Sequence, residues 1–250
     1  MSQSLVIIPT FNEKDNIEAI INSVFSLEIP FHIVVIDDNS PDGTGEIVKS
    51  LQQTYSGKLH LVEREGKSGL GTAYIRGFRY ALDHGYDYIF EMDADFSHNP
   101  NDLVRLYETC HQQGYDVVIG SRYITGVNVV NWPIGRVLMS YFASSYVRLI
   151  TGMSIRDATA GFICYRSRVL EKMDLTKIRF IGYAFQIEMK FTAWKMGFKI
   201  KEIPIIFTDR THGESKMSKN ILAEAIFGVI KMKLSSLFRK YDQINQSELP

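Results

Sequence analysis

Short apolar segments alternate with amphipathic ones through the first half of the chain, and this alternation limits the fold more than any other feature. The apolar segments are rich in Val and Ile and are interpreted as strands at residues 5–9, 32–38, 59–64, 86–95 and 116–123. The segments between them have helical spacing at 16–27, 45–55, 72–84 and 103–113. The pattern predicts an α/β fold in which a Rossmann-like, mostly parallel sheet is flanked by helices.

The second half of the chain departs from this alternation. Residues 126–152 are aromatic and apolar but are interrupted by Arg136 and Arg148. A further helix is expected at 184–196, a strand at 200–208, and a tail helix at 221–239 with its apolar residues on one face. We therefore predict one domain over 1–218, which includes the segment 126–152, and a C-terminal amphipathic helix and tail over 219–250.

Composition excludes several classes of protein. Lys and Arg total 28 and balance 28 Asp and Glu, whereas general nucleic-acid binders carry a basic excess. Two distant cysteines, Cys110 and Cys164, fit neither a disulfide framework nor a metal knuckle, so a reducing compartment is expected. The start of the chain does not resemble a signal peptide, and no apolar stretch reaches the ~20 residues of a membrane-spanning helix. A cytoplasmic protein, soluble or peripheral on a membrane, is expected.

Carboxylates accumulate where three of the predicted strands end. Glu13 follows the first strand, Asp38 ends the second, and Asp93 and Asp95 end the fourth. Ligands of open α/β sheets bind outside the carboxyl ends of the strands. Two carboxylates spaced i, i+2 at such an end can converge on a hard divalent cation, Mg²⁺ or Mn²⁺. The alternative for Asp93 and Asp95 is a solvated turn that leads into the following helix.

The other strand ends are open to two interpretations each. Asp38 could accept hydrogen bonds from ribose hydroxyls, or the segment NSPDG after it could simply be a turn. Glu13 could equally serve the first turn of a helix. The absence of G-x-G-x-x-G after the first strand argues against a dinucleotide-binding dehydrogenase. EGKSGLGTA is not a Walker loop, because Leu61 stands where that loop requires Gly.

Seven segments in order carry a family resemblance: IPTFNE, VVIDDNSPDGT, GLGTAYIRGF, MDADFSHNP, GSRY, DATAGFICYR and DRTHGESK. Together they resemble the family-2 glycosyltransferases of the GT-A fold and, more narrowly, the dolichol-phosphate (polyprenol-phosphate) mannose synthases. The resemblance covers roughly residues 5–230. It implies an enzyme that transfers mannose, with inversion and with Mg²⁺ or Mn²⁺, from GDP-mannose to a dolichyl or polyprenyl monophosphate at the cytoplasmic face of a membrane.

The resemblance also implies roles for individual residues, grouped here by the part of the reaction that they would serve. The positions that match nucleotide contacts are Pro9, Phe11, Glu13, Ile36 and Asp38. Those that match the metal and diphosphate motif are Asp93, Ala94 and Asp95, with Asp93 and Asp95 as the metal ligands. Those that match phosphate contacts are Arg122, Arg210 and Lys216. Arg136 and Ser140 match contacts to the acceptor phosphate, and Glu188 matches a contact to a sugar hydroxyl. Asp93, Asp95 and Arg122 would be the catalytic set.

Two positions depart from the family pattern, and several residues have plainer interpretations. Phe11 stands where relatives often have Tyr, and Ser97 stands where some have Gln, which puts a third protein ligand for the metal in doubt. Any single Arg or Lys could be a solvated surface cation, and Glu188 a solvated helix residue. The loop histidines His98 and His212 are interpreted as surface residues. So are four arginines: Arg148, Arg156, Arg166 and Arg168.

A lipid phosphate acceptor would remove the need for a catalytic base. The second pKa of a phosphate monoester is about 6, so the acceptor is already an anionic nucleophile near neutral pH. Trp132, Tyr141, Phe142 and Tyr146 beside Arg136 and Arg148 suit a helix in the headgroup layer, and basic residues near the end of the tail suit anionic lipid. Core packing is the alternative for both segments.

Three other possibilities remain open at the level of sequence. One is a polyprenyl-phosphate glucosyl- or N-acetylhexosaminyltransferase that uses a UDP-sugar. Another is a catalytically silent subunit that binds a nucleotide sugar, which the full acidic set disfavours. A partner membrane protein could also supply anchoring, although no residue indicates one.

Overall fold

The computed structural model describes residues 3–182, 184–209 and 219–244, with side chains from 227 onward in the last range. The strands of these residues are β1 (Ser4–Thr10), β2 (Phe31–Asp37), β3 (Leu59–Glu63), β4 (Tyr88–Glu91), β5 (Val117–Ser121), β6 (Val129–Val130), β7 (Ile163–Arg166), β8 (Ile200–Pro204) and β9 (Phe207–Thr208). The α-helices are α1 (Ile17–Phe25), α2 (Thr44–Thr54), α3 (Leu70–Asp83), α4 (Asp102–Gln112), α5 (Ile134–Thr151), α6 (Ser167–Lys172), α7 (Ala184–Lys195) and α8 (Lys219–Ser236).

Seven strands form one sheet in the order β3-β2-β1-β4-β7-β5-β8. All neighbouring strands in it are parallel except β7, which runs antiparallel to β4 and β5. The short strands β6 and β9 pair in parallel as a separate two-stranded sheet. The predicted α/β class with a mostly parallel sheet is confirmed.

Helices cover both faces of the large sheet because successive strand residues point to opposite sides. Ile7 and Ile36 face one apolar cluster, which includes residues of α3 and α7. Their neighbours Ile8 and Val35 face a second cluster, which includes residues of α1 and α4. Strands buried on both faces have continuous apolar sequences, and most strands of this sheet were therefore predicted from the sequence.

Two strand predictions were wrong, and one strand was missed. Strand β4 is shorter than the predicted 86–95, because the chain leaves the sheet after Glu91. The predicted strand 200–208 is divided into β8 and β9, which belong to different sheets. The sequence analysis did not identify β7, whose four residues lie in the middle of the sheet and show no alternation.

The tail helix α8 packs against α5 and α7. Val229 and Met232 are buried in the core, whereas Phe227 and Leu234 are exposed. The single apolar face predicted for 221–239 stays a prediction, because side chains are described only from 227 onward. The proposed boundary at 218/219 falls beside residues outside the described ranges.

Large apolar side chains are exposed on both packed helices. On α5 they include Ile134, Phe142 and Leu149, and on or just after α8 they include Leu234 and Phe238. Among the described residues, no helix is both long and apolar enough to cross a membrane.

Candidate active site

The acidic pair lies in a tight turn directly after β4. Asp95 is 7% exposed, and its Oδ1 accepts a hydrogen bond of 3.1 Å from the backbone N–H of Ser97. The hydroxyl of Tyr74 in α3 donates to Oδ1 of Asp93 at 3.4 Å. Phe96, between Asp95 and Ser97, has a positive φ of 57°, which is costly for a bulky residue. The alternative of a solvated turn is wrong for Asp95, which is nearly buried.

The oxygen donors of this turn fit a hard divalent cation. Carboxylates with water and phosphate oxygens are the ligands that Mg²⁺ and Mn²⁺ prefer. Among the described side chains, no group of three or more His, Cys, Asp or Glu is placed to hold a metal ion. Asp93 and Asp95 would therefore supply two protein donors, and a bound diphosphate and water would supply the others.

Asp38 lies at the same edge of the sheet, directly after β2. It is 7% exposed and accepts a hydrogen bond of 2.5 Å from Nε of Arg64. Burial raises the pKa of Asp38, although the guanidinium of Arg64 opposes the shift. Arg64 also donates to the hydroxyl of Thr72 at 2.7 Å, so it joins the end of β3 to the first turn of α3. The sequence analysis missed Arg64, whose position directly after a strand was the available signal.

The turn after β2 holds Asp38 in place, as the turn interpretation required. Asp37 accepts hydrogen bonds from the hydroxyls of Thr10 and Ser40, at 2.8 and 2.6 Å. Its Oδ2 also accepts a bond of 2.9 Å from the backbone N–H of Ser40. Asp38 itself is held by its backbone N–H, which donates to the carbonyl of Thr10 at 3.0 Å. The turn is therefore present, and the ribose contact of Asp38 stays a prediction.

The remaining predicted nucleotide positions differ in how accessible they are. Phe11 is half-buried, and the ammonium of Lys67 lies 5.2 Å from its ring centroid. Glu13 accepts a hydrogen bond of 3.0 Å from the side chain of Asn16, and Pro9 is half-buried. The side chains of Ile36 and Ala94 lie in the apolar core, so only their backbone groups could meet a ligand.

Arg122, at the end of β5, is clamped by a buried carboxylate. Its Nε and Nη2 donate to Asp157 at 2.8 and 2.6 Å, and Nη2 also donates to the hydroxyl of Thr159 at 2.8 Å. The guanidinium lowers the pKa of Asp157 despite the burial of this carboxyl. Asp157 and Thr159 belong to the DATAGFICYR segment, whose role in orienting Arg122 the sequence analysis missed.

An aromatic cluster joins Arg122 to the predicted acceptor residues. The guanidinium carbons of Arg122 and Arg136 lie 5.6 and 4.0 Å from the ring centroid of Trp132. The hydroxyl of Tyr123 donates to that of Ser140 at 2.8 Å. Arg136 also forms an ion pair of 2.9 Å with Asp209. The fold thus brings Arg122, Arg136 and Ser140 into one neighbourhood, as the resemblance implied.

Strand β9 ties the acidic turn to this cluster. The backbone N–H of Thr208 donates to the carbonyl of Ser97 at 3.1 Å, and Phe207 packs edge-on against Trp132 with centroids 5.3 Å apart. His98 is 3% exposed and stacks on Phe162, with centroids 4.8 Å apart. The interpretation of His98 as a surface residue is wrong.

The charges around His98 place the acidic turn near Arg122. Burial lowers the pKa of His98 to about 4, Asp95 raises it in part, and Arg122 lowers it further. Both groups are therefore close enough to act electrostatically on the same imidazole. The acidic turn and the basic cluster are therefore both connected to strand β9, which contacts Ser97 on one and Trp132 on the other.

A buried polar network lies beneath the acidic turn and was not predicted. The amide of Gln186 donates to Glu91 at 2.5 Å, and the ammonium of Lys190 donates to the carbonyls of Ala158 and Ala160. Burial raises the pKa of Glu91 and lowers the pKa of Lys190. Lys190 thereby fixes the loop that carries Asp157. The signal in the sequence was a helix, AFQIEMKF, that mixes polar and apolar residues without a polar face.

Glu188, on the same helix, is 4% exposed and accepts hydrogen bonds from the backbone N–H groups of Arg179 and Phe180, at 2.8 and 3.0 Å. A solvated helix residue is therefore the wrong interpretation. This carboxylate holds residues 179–181 over the start of α3, where the N–H of Gly71 donates to the carbonyl of Ile181 at 2.9 Å. Arg210, Lys216 and His212 lie outside the described residues.

Two of the four arginines interpreted as surface cations are structural instead. Arg166 donates to the carbonyls of Tyr115 and Cys110, at 3.1 and 2.8 Å. Arg168 forms an ion pair of 2.5 Å with the fully buried Asp116. These two contacts hold β7 and α6 to the strand that begins beside Asp116.

Comparison with known proteins gives the family. The family model "Glycosyl transferase family 2" matches residues 5–174. The "Polyprenol monophosphomannose synthase" of Mycolicibacterium smegmatis is 44% identical over 227 residues, which are 91% of this chain and 85% of that protein. The "Undecaprenyl-phosphate mannosyltransferase" of Micrococcus luteus is 41% identical over 232 residues, which are 93% of this chain and 94% of that protein.

Solved structures give the fold. The crystal structure of glucosyl-3-phosphoglycerate synthase from Mycobacterium tuberculosis in complex with Mn²⁺, UDP and phosphoglyceric acid aligns with a TM-score of 0.66 at 19% identity, over 94% of this chain and 78% of that one. The same enzyme with Mn²⁺ and UDP-glucose gives a TM-score of 0.65, over 98% and 81%. The chain therefore belongs to glycosyltransferase family 2 and is a glycosyltransferase with the GT-A fold.

Proposed function

We propose that this glycosyltransferase transfers mannose from GDP-mannose to a polyprenyl or dolichyl monophosphate, with inversion, at the cytoplasmic face of a membrane. The proposal draws its donor sugar and acceptor class from the names of the two relatives at 44% and 41% identity. The observation that carries it in this chain is the position of Arg122 and Arg136 around Trp132, a cluster that strand β9 joins to the acidic turn. Such an arrangement suits two phosphate-bearing substrates that must meet.

The acidic side of the site would hold the donor. Asp38 and the edge of Phe11 would face the nucleoside, and Asp93 and Asp95 would hold Mg²⁺ or Mn²⁺. The bound cation would neutralise charge that grows on the nucleoside diphosphate as the bond to the sugar breaks. Asp95 is already fixed by the N–H of Ser97, which limits the reorganisation needed when the donor arrives.

The basic side would hold the acceptor. Guanidinium groups bind phosphate oxygens, and Trp132 holds the guanidinium of Arg136 near Ser140, the two positions that match acceptor-phosphate contacts. Arg122, whose Nε and Nη2 already donate to Asp157, would add positive charge to the same cluster. The acceptor phosphate is anionic near neutral pH, so its oxygen can attack the anomeric carbon without a catalytic base. Attack opposite the departing diphosphate would invert the anomeric configuration. Catalysis would therefore come from placement and from stabilisation of the leaving group.

The exposed apolar residues of α5 and α8 support a membrane location. Phe142, Leu149, Leu234 and Phe238 are each more than half exposed, and the two helices pack against each other. Large exposed apolar patches on soluble proteins mark interaction surfaces, and an acceptor with a polyprenyl chain resides in a bilayer. The relevant surface would lie beside Arg136 and Ser140, where the acceptor phosphate would bind.

A purified transfer assay tests the proposal. GDP-mannose, UDP-glucose and UDP-N-acetylglucosamine are offered separately with polyprenyl phosphate, with and without a chelator. We expect transfer from GDP-mannose alone and its loss when divalent cations are removed. Asp95→Asn should lower kcat by about 10²–10³-fold, the range for loss of one electrostatic contribution to a transition state. Transfer from a UDP-sugar would contradict the donor, and full turnover with chelator would contradict the metal.

A further inference from the structure

A second cluster of basic and polar groups lies beside the site described above and shares Tyr123 with it. Tyr123, Tyr141, Ser145, Arg148 and Arg156 line a cleft of about 280 Å³. Tyr123 follows β5, the next three residues lie on α5, and Arg156 lies in the loop before β7. The fold therefore assembles this cleft from three segments, and the two arginines that the sequence analysis interpreted as separate surface cations share it.

The two arginines give the cleft a positive charge. Neither Arg148 nor Arg156 forms an ion pair with any side chain that the structure describes. Nη1 of Arg156 donates to the carbonyl of Ile124 at 3.1 Å, which fixes that guanidinium at the cleft. The nearby carboxylate of Glu202 accepts the backbone N–H groups of Arg156 and Asp157, at 2.7 and 2.9 Å. The two guanidiniums favour an anionic ligand, whereas the carboxylate of Glu202 is occupied by these backbone donors and by the hydroxyl of Ser121.

The position of the cleft on α5 favours a lipid as the source of that anion. Tyr141, Ser145 and Arg148 are spaced i, i+4, i+7 and form one face of the helix. The adjacent stripe contains Leu138, Phe142 and Leu149, which are 48%, 62% and 82% exposed. A cationic cleft beside an exposed apolar stripe matches the boundary between headgroups and acyl chains.

The cleft also shares a wall with the proposed acceptor site. Tyr123 donates its hydroxyl to Ser140 and packs edge-on against Tyr141, with ring centroids 5.6 Å apart. An occupant of the cleft would therefore orient the same segment of α5 that presents Arg136 and Ser140.

We propose that the cleft formed by Arg148 and Arg156 binds the phosphate-bearing headgroup of an anionic bilayer lipid and so fixes α5 against the membrane beside the acceptor site. The headgroup is a ligand distinct from the acceptor phosphate, which Arg136 and Ser140 would hold. The inference rests on the proposed membrane location but not on the identity of the donor or acceptor.

The test measures partition of the full chain onto vesicles in the absence of donor and acceptor. One set of vesicles is phosphatidylcholine, and the other adds phosphatidylglycerol. Arg148→Gln combined with Arg156→Gln should lower partition onto the anionic vesicles by about 30-fold. This factor corresponds to the loss of roughly 1 kcal/mol for each basic residue near such a surface. Arg76→Gln combined with Arg79→Gln removes the same charge from exposed positions on α3 and should change partition by less than about twofold.

Two further arms separate a built site from diffuse charge and from free phosphate. Arg148→Lys combined with Arg156→Lys keeps the charge but loses the forked geometry, and should weaken partition by about threefold or more. Equal partition of the lysine variant and the native chain would overturn the proposal, as would equal loss in the α3 control. The last arm measures Tm with and without inorganic phosphate. Suppose that phosphate raises the Tm of the native chain but not of the glutamine variant, and that the variant partitions onto vesicles as well as the native chain does. The cleft would then bind soluble phosphate, and the proposal of a lipid headgroup would be overturned.

The outcomes also distinguish this inference from the proposed function. Native chain that fails to bind either vesicle contradicts the membrane location itself. If the native chain and the glutamine variant bind anionic vesicles equally well, only the proposal for the cleft is contradicted. Transfer to a short-chain, water-soluble polyprenyl phosphate should be unchanged in the glutamine variant, which separates membrane binding from catalysis.

Discussion

At the scale of single residues, the site depends on a buried ion pair that the sequence did not predict. Asp157 is fully buried, and its two carboxylate oxygens accept hydrogen bonds from the guanidinium and from the backbone N–H of Arg122. The motifs GSRY and DATAG that contain them are separated by about 35 positions, and only the sheet brings them together. The chemistry of each residue could be anticipated from its type, but the partner that fixes it could not.

Replacement of Asp157 by Asn should destabilise the protein by about 3–5 kcal/mol, because it leaves the guanidinium of Arg122 buried without a counter-charge. Urea denaturation measures the loss. The control Thr159→Val removes one hydrogen bond to the same guanidinium and should lower stability by about 1 kcal/mol. A loss of less than about 1 kcal/mol in Asp157→Asn would show that water compensates Arg122.

At the scale of elements, helix α3 approaches β1 closely because Gly77 lies at their contact. A Cβ atom at Gly77 would lie 2.5 Å from Cγ2 and 2.9 Å from Cδ1 of Ile7. Ile7 is fully buried in the middle of the sheet and has no room to move. The sequence predicted α3 from its periodicity, but the depth of its packing depends on this one missing side chain.

Gly77→Ala should therefore destabilise the protein by about 1–3 kcal/mol, the usual range for overpacking, although alanine itself favours a helix. Thermal or urea denaturation measures the change. Gly135→Ala on α5 is the matched control, because nothing lies within 4 Å of its Cβ position. It should be neutral or slightly stabilising. A stabilised Gly77→Ala variant would show that α3 can shift away from the sheet without loss.

The elements that the sequence predicted and those that it missed differ in how they are buried. Strands β1, β2 and β5 were found because they are continuous runs of buried Val and Ile. Strand β7 has only four residues, and α7 buries Gln186, Glu188 and Lys190 together with its apolar residues. Polar residues in a buried helix give no period, so neither their depth nor their partners could be predicted from the pattern.

At the scale of the whole molecule, the predicted carboxyl edge of the sheet is where the acidic turn and the basic cluster meet. The sequence predicted the first, from the spacing of Asp93 and Asp95. The sequence did not predict the connection through β9. That connection is a hydrogen bond between Thr208 and Ser97, which are far apart in the chain. The same limit applies to the cleft at Arg148 and Arg156, whose two arginines come from separate segments.

Stability of the whole molecule should depend on pH through histidines that the fold keeps neutral. Burial lowers the pKa of His32 and of His60, on neighbouring strands, below the ordinary 6.5. As pH falls through that value the unfolded chain gains these protons first, so the free energy of unfolding should decline between about pH 7 and pH 5. The buried His98 contributes to the decline in the same direction. Urea denaturation across this range measures it.

His32→Gln combined with His60→Gln should make that decline shallower, because two of the groups that resist protonation in the folded chain are then absent. An unchanged slope in the double variant would assign the decline to other groups whose pKa the fold lowers, such as His98.

The reversed direction of β7 has a consequence for how many loops the site can use. In a wholly parallel sheet, the segment that precedes a strand arrives at the edge opposite to the ligand. Because Ile163 pairs with Glu91 where β4 ends, the residues before β7 arrive instead at the ligand edge. The one antiparallel strand thus adds a loop to the ligand edge of the sheet, and that loop supplies Asp157, the counter-ion of Arg122.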